Sequence, residues 1–164
     1  MPLERIILHW TAGRSTASAS DLAHYHFAVE ADGLVVQGEQ TPEANLSTKT
    51  AYAAHTRGLN TGSIGVAMCG MFGAKESPFD PGRYPITLTQ YDATARLCAV
   101  LCRRYRIPVT PKTVLSHAEV EGTLGVKQRG KWDVTRLPWF PEIKGARAVG
   151  DHFRAVVEAE MAKP

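Results

Sequence analysis

The sequence predicts an α/β domain in which a central mixed β-sheet is flanked by helices, and three observations predict it. Apolar runs of strand length recur at "RIILHW" and "SIGVAMCG", each bordered by a glycine-containing turn. Two further strand-like runs in "YHFAVEADGLVVQGE" meet at Asp32-Gly33, a strong hairpin signal. From Thr89 onward the apolar period becomes helical, and it does so again near the C-terminus. A chain of 164 residues can bury roughly two thirds of its unfolded surface, enough for one independent core. No repeat, linker or low-complexity tract divides it, so residues 1–164 are read as a single domain.

The elements follow in order. Arg5 to Trp10 reads as a buried strand closed by the turn "TAGRST", and the hairpin comes next. Ser63 to Gly70 is another apolar strand, entered through "GLNTG". The segment "MFGAKESPFDPGRYPIT" is interrupted by Gly73, Pro78, Pro81, Gly82 and Pro85 and reads as a loop. Between Thr89 and Arg106, Tyr91, Thr94, Cys98, Leu101, Cys102 and Tyr105 fall on one helix face; Thr89 and Asp92 resemble a capping pair, and Pro108 ends the helix. A short strand "TVLSH" then ends in His117, a polar loop leads to "KWDVTRLPW", and a last amphipathic helix spans Val149 to Met161.

Composition narrows the function. With 44% apolar and 21% charged residues the chain has the profile of an ordinary globular protein. A formal charge of +3 without a basic tract argues against nucleic acid as partner, the densest group being Arg103, Arg104 and Arg106, whereas a mildly basic surface suits an anionic polymer. No apolar run approaches the roughly 18 residues of a membrane span. "MPLERIILHW" carries charges where a signal peptide needs its apolar centre. The expectation is synthesis in the cytoplasm without stable membrane insertion. Cys69, Cys98 and Cys102 are odd in number and set in apolar contexts, which reads as three core thiols rather than a disulfide or a zinc thiolate site.

Chemistry concentrates where two strands end in histidine, "ILHW" at His9 and "VLSH" at His117. Neighbouring parallel strand ends share one sheet edge, where ligand sites are built. Two neutral imidazoles there form part of a zinc site, and a catalytic zinc takes three protein ligands and keeps one open position. Asp133 in "GKWDVTRLPW" is the best third ligand, and Lys131, two residues earlier in an extended segment, points to the same side and can stabilise an oxyanion. A rival metal pair is His24 and His26 in "AHYHF", which strand alternation places on one face with Tyr25 and Phe27 on the other. Plain hydrogen-bonded histidines are the third possibility, and the residues alone leave all three open.

The ordered motifs "ILHWTAG", "YHFAVEADGLVVQ", "AAHTRGLNTGSIGVAMCG", "LSHAEV" and "GKWDVTRLPW" resemble the zinc-dependent N-acetylmuramoyl-L-alanine amidases of type 2, a family that includes peptidoglycan recognition proteins and amidase endolysins of phages. The resemblance runs from about Arg5 to Trp139. It implies the amidase and recognition-protein fold, one Zn2+ held by His9, His117 and Asp133, and hydrolysis of the amide joining the lactyl group of N-acetylmuramic acid to L-alanine. Tyr25 matches the family's tyrosine and Lys131 its lysine, both stabilising the tetrahedral intermediate, and His26 then faces away. The group that protonates the leaving amine stays open.

Three departures qualify the branch. Cytosolic recycling amidases carry a catalytic glutamate where "SIGVAMCG" has Ala67, which favours the endolysin and recognition-protein branch. Many members of that branch use cysteine where this chain has Asp133. The segment from Gly13 to Ala23 is shorter than the family's first helix, implying a more open groove. His55 and Arg57 are candidates for contact with the stem peptide, Asn60 and Thr61 for the groove wall, and Trp10, Trp132 and Trp139 for stacking on sugars; each also has a structural explanation in core or turn, and His152 is given no role.

The leading expectation is a monomeric phage or prophage endolysin that reaches peptidoglycan after holin-dependent release and lyses the cell. The alternatives are a cytosolic muropeptide-recycling amidase and a non-catalytic peptidoglycan-binding module; a binding module would have lost a ligand, and all three positions here carry competent side chains.

Overall fold

Five strands form one mixed sheet in the computed structural model, which describes residues 2–164. In chain order the elements are β1 (Arg5–Trp10), α1 (Ala19–His24), β2 (Phe27–Val29), β3 (Val35–Gln37), a 3-10 turn (Pro42–Leu46), β4 (Ser63–Met68), α2 (Leu88–Tyr105), β5 (Val114–Ser116), α3 (His117–Leu124) and α4 (Ala146–Met161). The spatial order is β3-β2-β4-β1-β5. β1 lies between β4 and β5, parallel to both, β2 runs parallel to β4, and β3 is the antiparallel edge supplied by the hairpin. No helix of the described residues is long and apolar enough to cross a membrane.

The period of two along each strand divides the sheet into two unlike faces. Ile6, Leu8 and Trp10 of β1, Ile64, Val66 and Met68 of β4, and Val29 of β2 join the main core with Tyr91, Ala95 and Cys98 of α2 and Val149, Phe153 and Val157 of α4. Burial of each large aliphatic side chain there contributes roughly 1.5–3 kcal/mol. The alternate residues look the other way. Ile7 and Leu115 form a small second cluster with Val120 of α3, and farther along that face stand His9, Gly65 and Ala67.

Caps explain where helices begin, and they move two boundaries. α2 starts at Leu88, with Thr87 and Gln90 exchanging the capping hydrogen bonds that were expected of Thr89 and Asp92. The Gln90 amide also donates to the Val29 and Cys69 carbonyls, tying the helix start to the ends of β2 and β4. Arg106 closes α2 in the left-handed conformation, φ 55°, two residues before Pro108.

The second correction concerns His117. β5 stops at Ser116, and His117 opens α3, where a polar loop was expected. The Ser116 N–H donates to the Glu119 carboxylate, the acidic half of a capping box. Glu119 and Arg154 form a buried bidentate ion pair, with Nη1–Oε2 and Nη2–Oε1 distances of 3.1 and 2.9 Å, and Arg154 Nη1 also donates to the Val114 carbonyl. Gly150 is required on α4, because a Cβ there would stand 2.2 Å from the Glu119 carboxylate. This ion pair fixes the β5–α3 corner that carries His117.

The H-x-H pair does not form. His24 ends α1, where its Nδ1–H donates to the Ser20 carbonyl, and the chain becomes extended only at Tyr25, φ −117° and ψ 150°. Strand alternation therefore does not reach back to His24. His26 is buried: its Nδ1 accepts from the Gly65 N–H, and its Nε2–H donates to Asn45 Oδ1. Asn45 also spans the loop before β4, bonding to both backbone groups of Ala53 and to the Asn60 carbonyl.

Two stability measurements follow. Arg154→Ala leaves the Glu119 charge buried without a partner and lowers urea-denaturation stability by about 3–5 kcal/mol, whereas Glu119→Gln combined with Arg154→Met costs less than the single change. Burial lowers the His26 imidazole from 6.5 to about 4, outweighing its hydrogen bond to Asn45. The folded state then binds fewer protons than the unfolded one between those values, so this contribution is complete above pH 6.5 and is lost as the pH falls toward 4. The loss reaches about 3 kcal/mol, and in denaturation at pH 7.5 and 4.5 His26→Gln shows the smaller drop.

Candidate metal centre and active site

β1, α3 and the loop before α4 deliver three donor atoms to one point. His9 Nδ1 lies 3.1 Å from His117 Nδ1 and 3.1 Å from Asp133 Oδ2, and His117 Nδ1 lies 3.3 Å from the same oxygen. Donors bound at about 2.0–2.1 Å to a tetrahedral zinc stand roughly 3.3 Å apart, so the triangle fits such an ion with its fourth position free. All three residues are buried and form a group able to hold a metal ion.

Each imidazole turns its other nitrogen toward a polar partner. His117 Nε2–H donates to Gln128 Oε1 at 2.7 Å, and the Gln128 amide donates in turn to the Arg57 carbonyl. His9 Nε2 faces His55 Nδ1 at 3.2 Å and Thr56 Oγ1 at 3.4 Å. Burial pushes the His9 imidazole below its usual value even against Asp133, which favours the neutral form a metal ligand needs. Burial alone would raise the Asp133 carboxyl, but the His117 and His9 imidazoles, when they carry a proton on Nδ1 and donate it, hold the carboxyl well below the usual carboxylate range. The next residue, Val134, adopts φ 64° with its side chain in the core, a conformation rare for a β-branched residue that packing imposes beside the carboxylate.

The other sequence candidates divide by position. The Tyr25 ring lies 5.1 Å from that of His9, and burial keeps its hydroxyl protonated as a donor. Tyr25 and Lys131 line a cleft of about 370 Å3 with Trp10, Trp132 and Asp133. A neighbouring cleft of about 560 Å3 runs past His55, Arg57, Asn60, His117, Lys127 and Arg129. A third of about 430 Å3 extends beyond Trp132 to Arg136 and Lys144, and Lys131 borders all three. Thr61 lines a smaller pocket of about 260 Å3 with Thr48 and Gly58, and this pocket shares Tyr52 and Asn60 with the 560 Å3 cleft. Trp139 packs against Tyr91 in the core, and His152 Nδ1 pairs with the Tyr91 hydroxyl, away from the site. Ala67 is fully buried beside His9 on β4, in register with it.

Sequence reasoning missed Gln128 and Thr56, which touch the imidazoles, and Asn45, which holds the loop under them. A capping-box pattern, Ser116 to Glu119, was available to reveal α3. For Gln128 no local signal exists, since its role depends on a loop folding back 11 residues after His117.

Comparison with known proteins bears on the family and the fold. The family model described as N-acetylmuramoyl-L-alanine amidase matches residues 1–134. No curated protein sequence matches. Among solved structures, the Ph2119 endolysin from the Thermus scotoductus MAT2119 bacteriophage Ph2119 is similar over 99% of this chain and 87% of its own, at 20% identity and a TM-score of 0.55. A mutant form of PlyL is similar over 96% and 85%, at 20% identity and a TM-score of 0.57. Human PGRP-IBETAC, solved with glycosamyl muramyl pentapeptide, is similar over 78% and 79%, at 19% identity and a TM-score of 0.50. These likenesses establish the shared fold. With four fifths of its length under the family model and a metal-competent triad on the sheet face opposite its main core, the chain belongs to the N-acetylmuramoyl-L-alanine amidase family.

Proposed function

We propose that this chain is a zinc-dependent N-acetylmuramoyl-L-alanine amidase, with residues 1–164 as one catalytic domain acting on polymeric peptidoglycan. The observation that carries the reading is the donor triangle of His9, His117 and Asp133, whose 3.1–3.3 Å edges suit one tetrahedral ion. A zinc ion held there supplies a Lewis acid that activates water at neutral pH and polarises a carbonyl. Lys131 and the protonated Tyr25 border the same cleft and donate to the lactyl carbonyl oxygen as negative charge develops on it. Trp10 and Trp132, edge to face at 5.0 Å, wall this end of the cleft from bulk water.

Substrate reach favours the polymer. The three clefts adjoin one another through Lys131 and make a groove longer than the chemistry needs, lined by Arg57, Lys127, Arg129, Arg136 and Lys144, with Glu76 at one end. In the larger cleft Arg57, Lys127 and Arg129 suit the carboxylates of a stem peptide, with Asn60 in its wall and His55 showing only a narrow edge. Such a groove suits an endolysin that acts on the wall after release from the cytoplasm, as does Ala67 where recycling enzymes carry a glutamate. The recycling reading keeps one observation in its favour, the carboxylate third ligand Asp133.

Two outcomes test the reading. Purified protein releases peptides beginning in L-alanine from Gram-negative sacculi, detected by mass spectrometry, and Asp133→Ala loses both this release and bound zinc. Release from soluble anhydromuropeptides but not from sacculi would instead favour recycling, and binding without cleavage a recognition module. Lys131→Ala retains zinc and lowers kcat by roughly 100- to 1,000-fold with KM little changed, as expected of an oxyanion donor.

A further inference from the structure

His55 borders the clefts, yet its polar atoms are already committed. It is 8% exposed, and its ring is wedged edge-on between those of His9 and His26, with centroid separations of 5.2 and 5.7 Å. His55 Nε2 lies 3.3 Å from the Ser63 carbonyl, which can only accept, so this nitrogen carries the proton. The Nδ1 lone pair then faces His9 Nε2 at 3.2 Å and the Thr56 hydroxyl at 2.8 Å. If His9 Nδ1 points its lone pair at a metal, its Nε2 must carry the hydrogen, which is donated toward His55 Nδ1. Thr56 Oγ1, 3.4 Å from His9 Nε2, lies alongside and passes the bond on in the same sense.

The backbone supports this arrangement on both sides. The His55 and Thr56 N–H groups both donate to Asn60 Oδ1, at 2.9 Å each, which pins the loop. On β4, a Cβ at Gly65 would stand 2.5 Å from His55 Cγ, so only glycine leaves room for the ring. We infer that His55 is a positioning residue, fixed by the Ser63 carbonyl and seated over Gly65, that sets the tautomer and orientation of the metal ligand His9. This inference rests on the metal reading of His9, His117 and Asp133.

The test measures zinc affinity by competition with a chromophoric chelator, with the visible spectrum of the Co2+ form as a second readout and apo-protein melting as the folding control. His55→Ala weakens zinc binding by roughly 10- to 100-fold, the usual cost of losing an outer partner of a ligating histidine. His55→Asn, whose Oδ1 can occupy the place of Nδ1, recovers most of the affinity and the Co2+ spectrum; His55→Gln, which reaches toward Ser63 instead, does not. Gly65→Ala weakens zinc binding in the wild-type background and adds little to His55→Ala. Should the alanine variant not fold, the Asn and Gln pair carries the comparison. Equal zinc affinity in all His55 variants, with only KM for muropeptide raised, overturns the inference and makes His55 a substrate contact. Absence of zinc binding by the wild type overturns the metal reading itself.

Discussion

The structure depends on the two-faced burial of β1. A strand between two parallel neighbours has its backbone fully paired, so both faces must be covered, and here they are covered by different chemistry. Ile6, Leu8 and Trp10 supply the apolar contacts that hold α2 and α4 to the sheet. Ile7 anchors the opposite face against α3, and His9, one step beyond Leu8 and two beyond Ile7, continues that face into the site. A one-residue slip of β1 would put His9 into the main core and take its imidazole away from His117 and Asp133. The packing of the core thus fixes which way His9 points.

The site face is polar and buried, and this is possible because β2 and β4 offer small residues there. Ala28, Gly65 and Ala67 take little room, and the space is filled by the rings of His55, His26 and Tyr25. Each buried imidazole must then find partners for two nitrogens, since an unsatisfied polar group costs about 1–3 kcal/mol. Gln128, Thr56, Asn45 and the backbone at Ser63 and Gly65 meet that need. The polar network orients His9 and His117 and makes the face stable enough to exist.

Much of this was legible before any coordinates. Strong local signals placed β1, the Asp32-Gly33 hairpin, β4, α2 and α4, because each rests on periodicity or turn chemistry contained in a few consecutive residues. His9, His117 and Asp133 do come together in space, although His117 arrives as the first residue of a helix and not as the last of a strand. What escaped were elements too short to show a period, α1 and α3, and residues whose role is set by partners far along the chain. His26 illustrates the limit: alternation paired it with His24, but the helix-to-strand change at Tyr25 rotates the two apart. Gln128, Thr56 and Asn45 carry no motif, since an amide or hydroxyl becomes meaningful only when folding places it beside an imidazole.

On the proposed reading, charge would link the network to the substrate. Two neutral imidazoles and one carboxylate contribute a single negative charge, so a dication in the triangle leaves the centre with one net positive charge. Lys131 stands beside it, and Arg57, Lys127 and Arg129 continue the positive field along the cleft. Had the third ligand been another histidine, the centre would hold two net positive charges next to those cations, with a greater like-charge cost. On the proposed metal reading, Asp133 would moderate the field at the ion and leave the surrounding cations to an anionic peptide. A carboxylate brings that charge to a buried position beside imidazoles whose outer nitrogens are held by partners of their own.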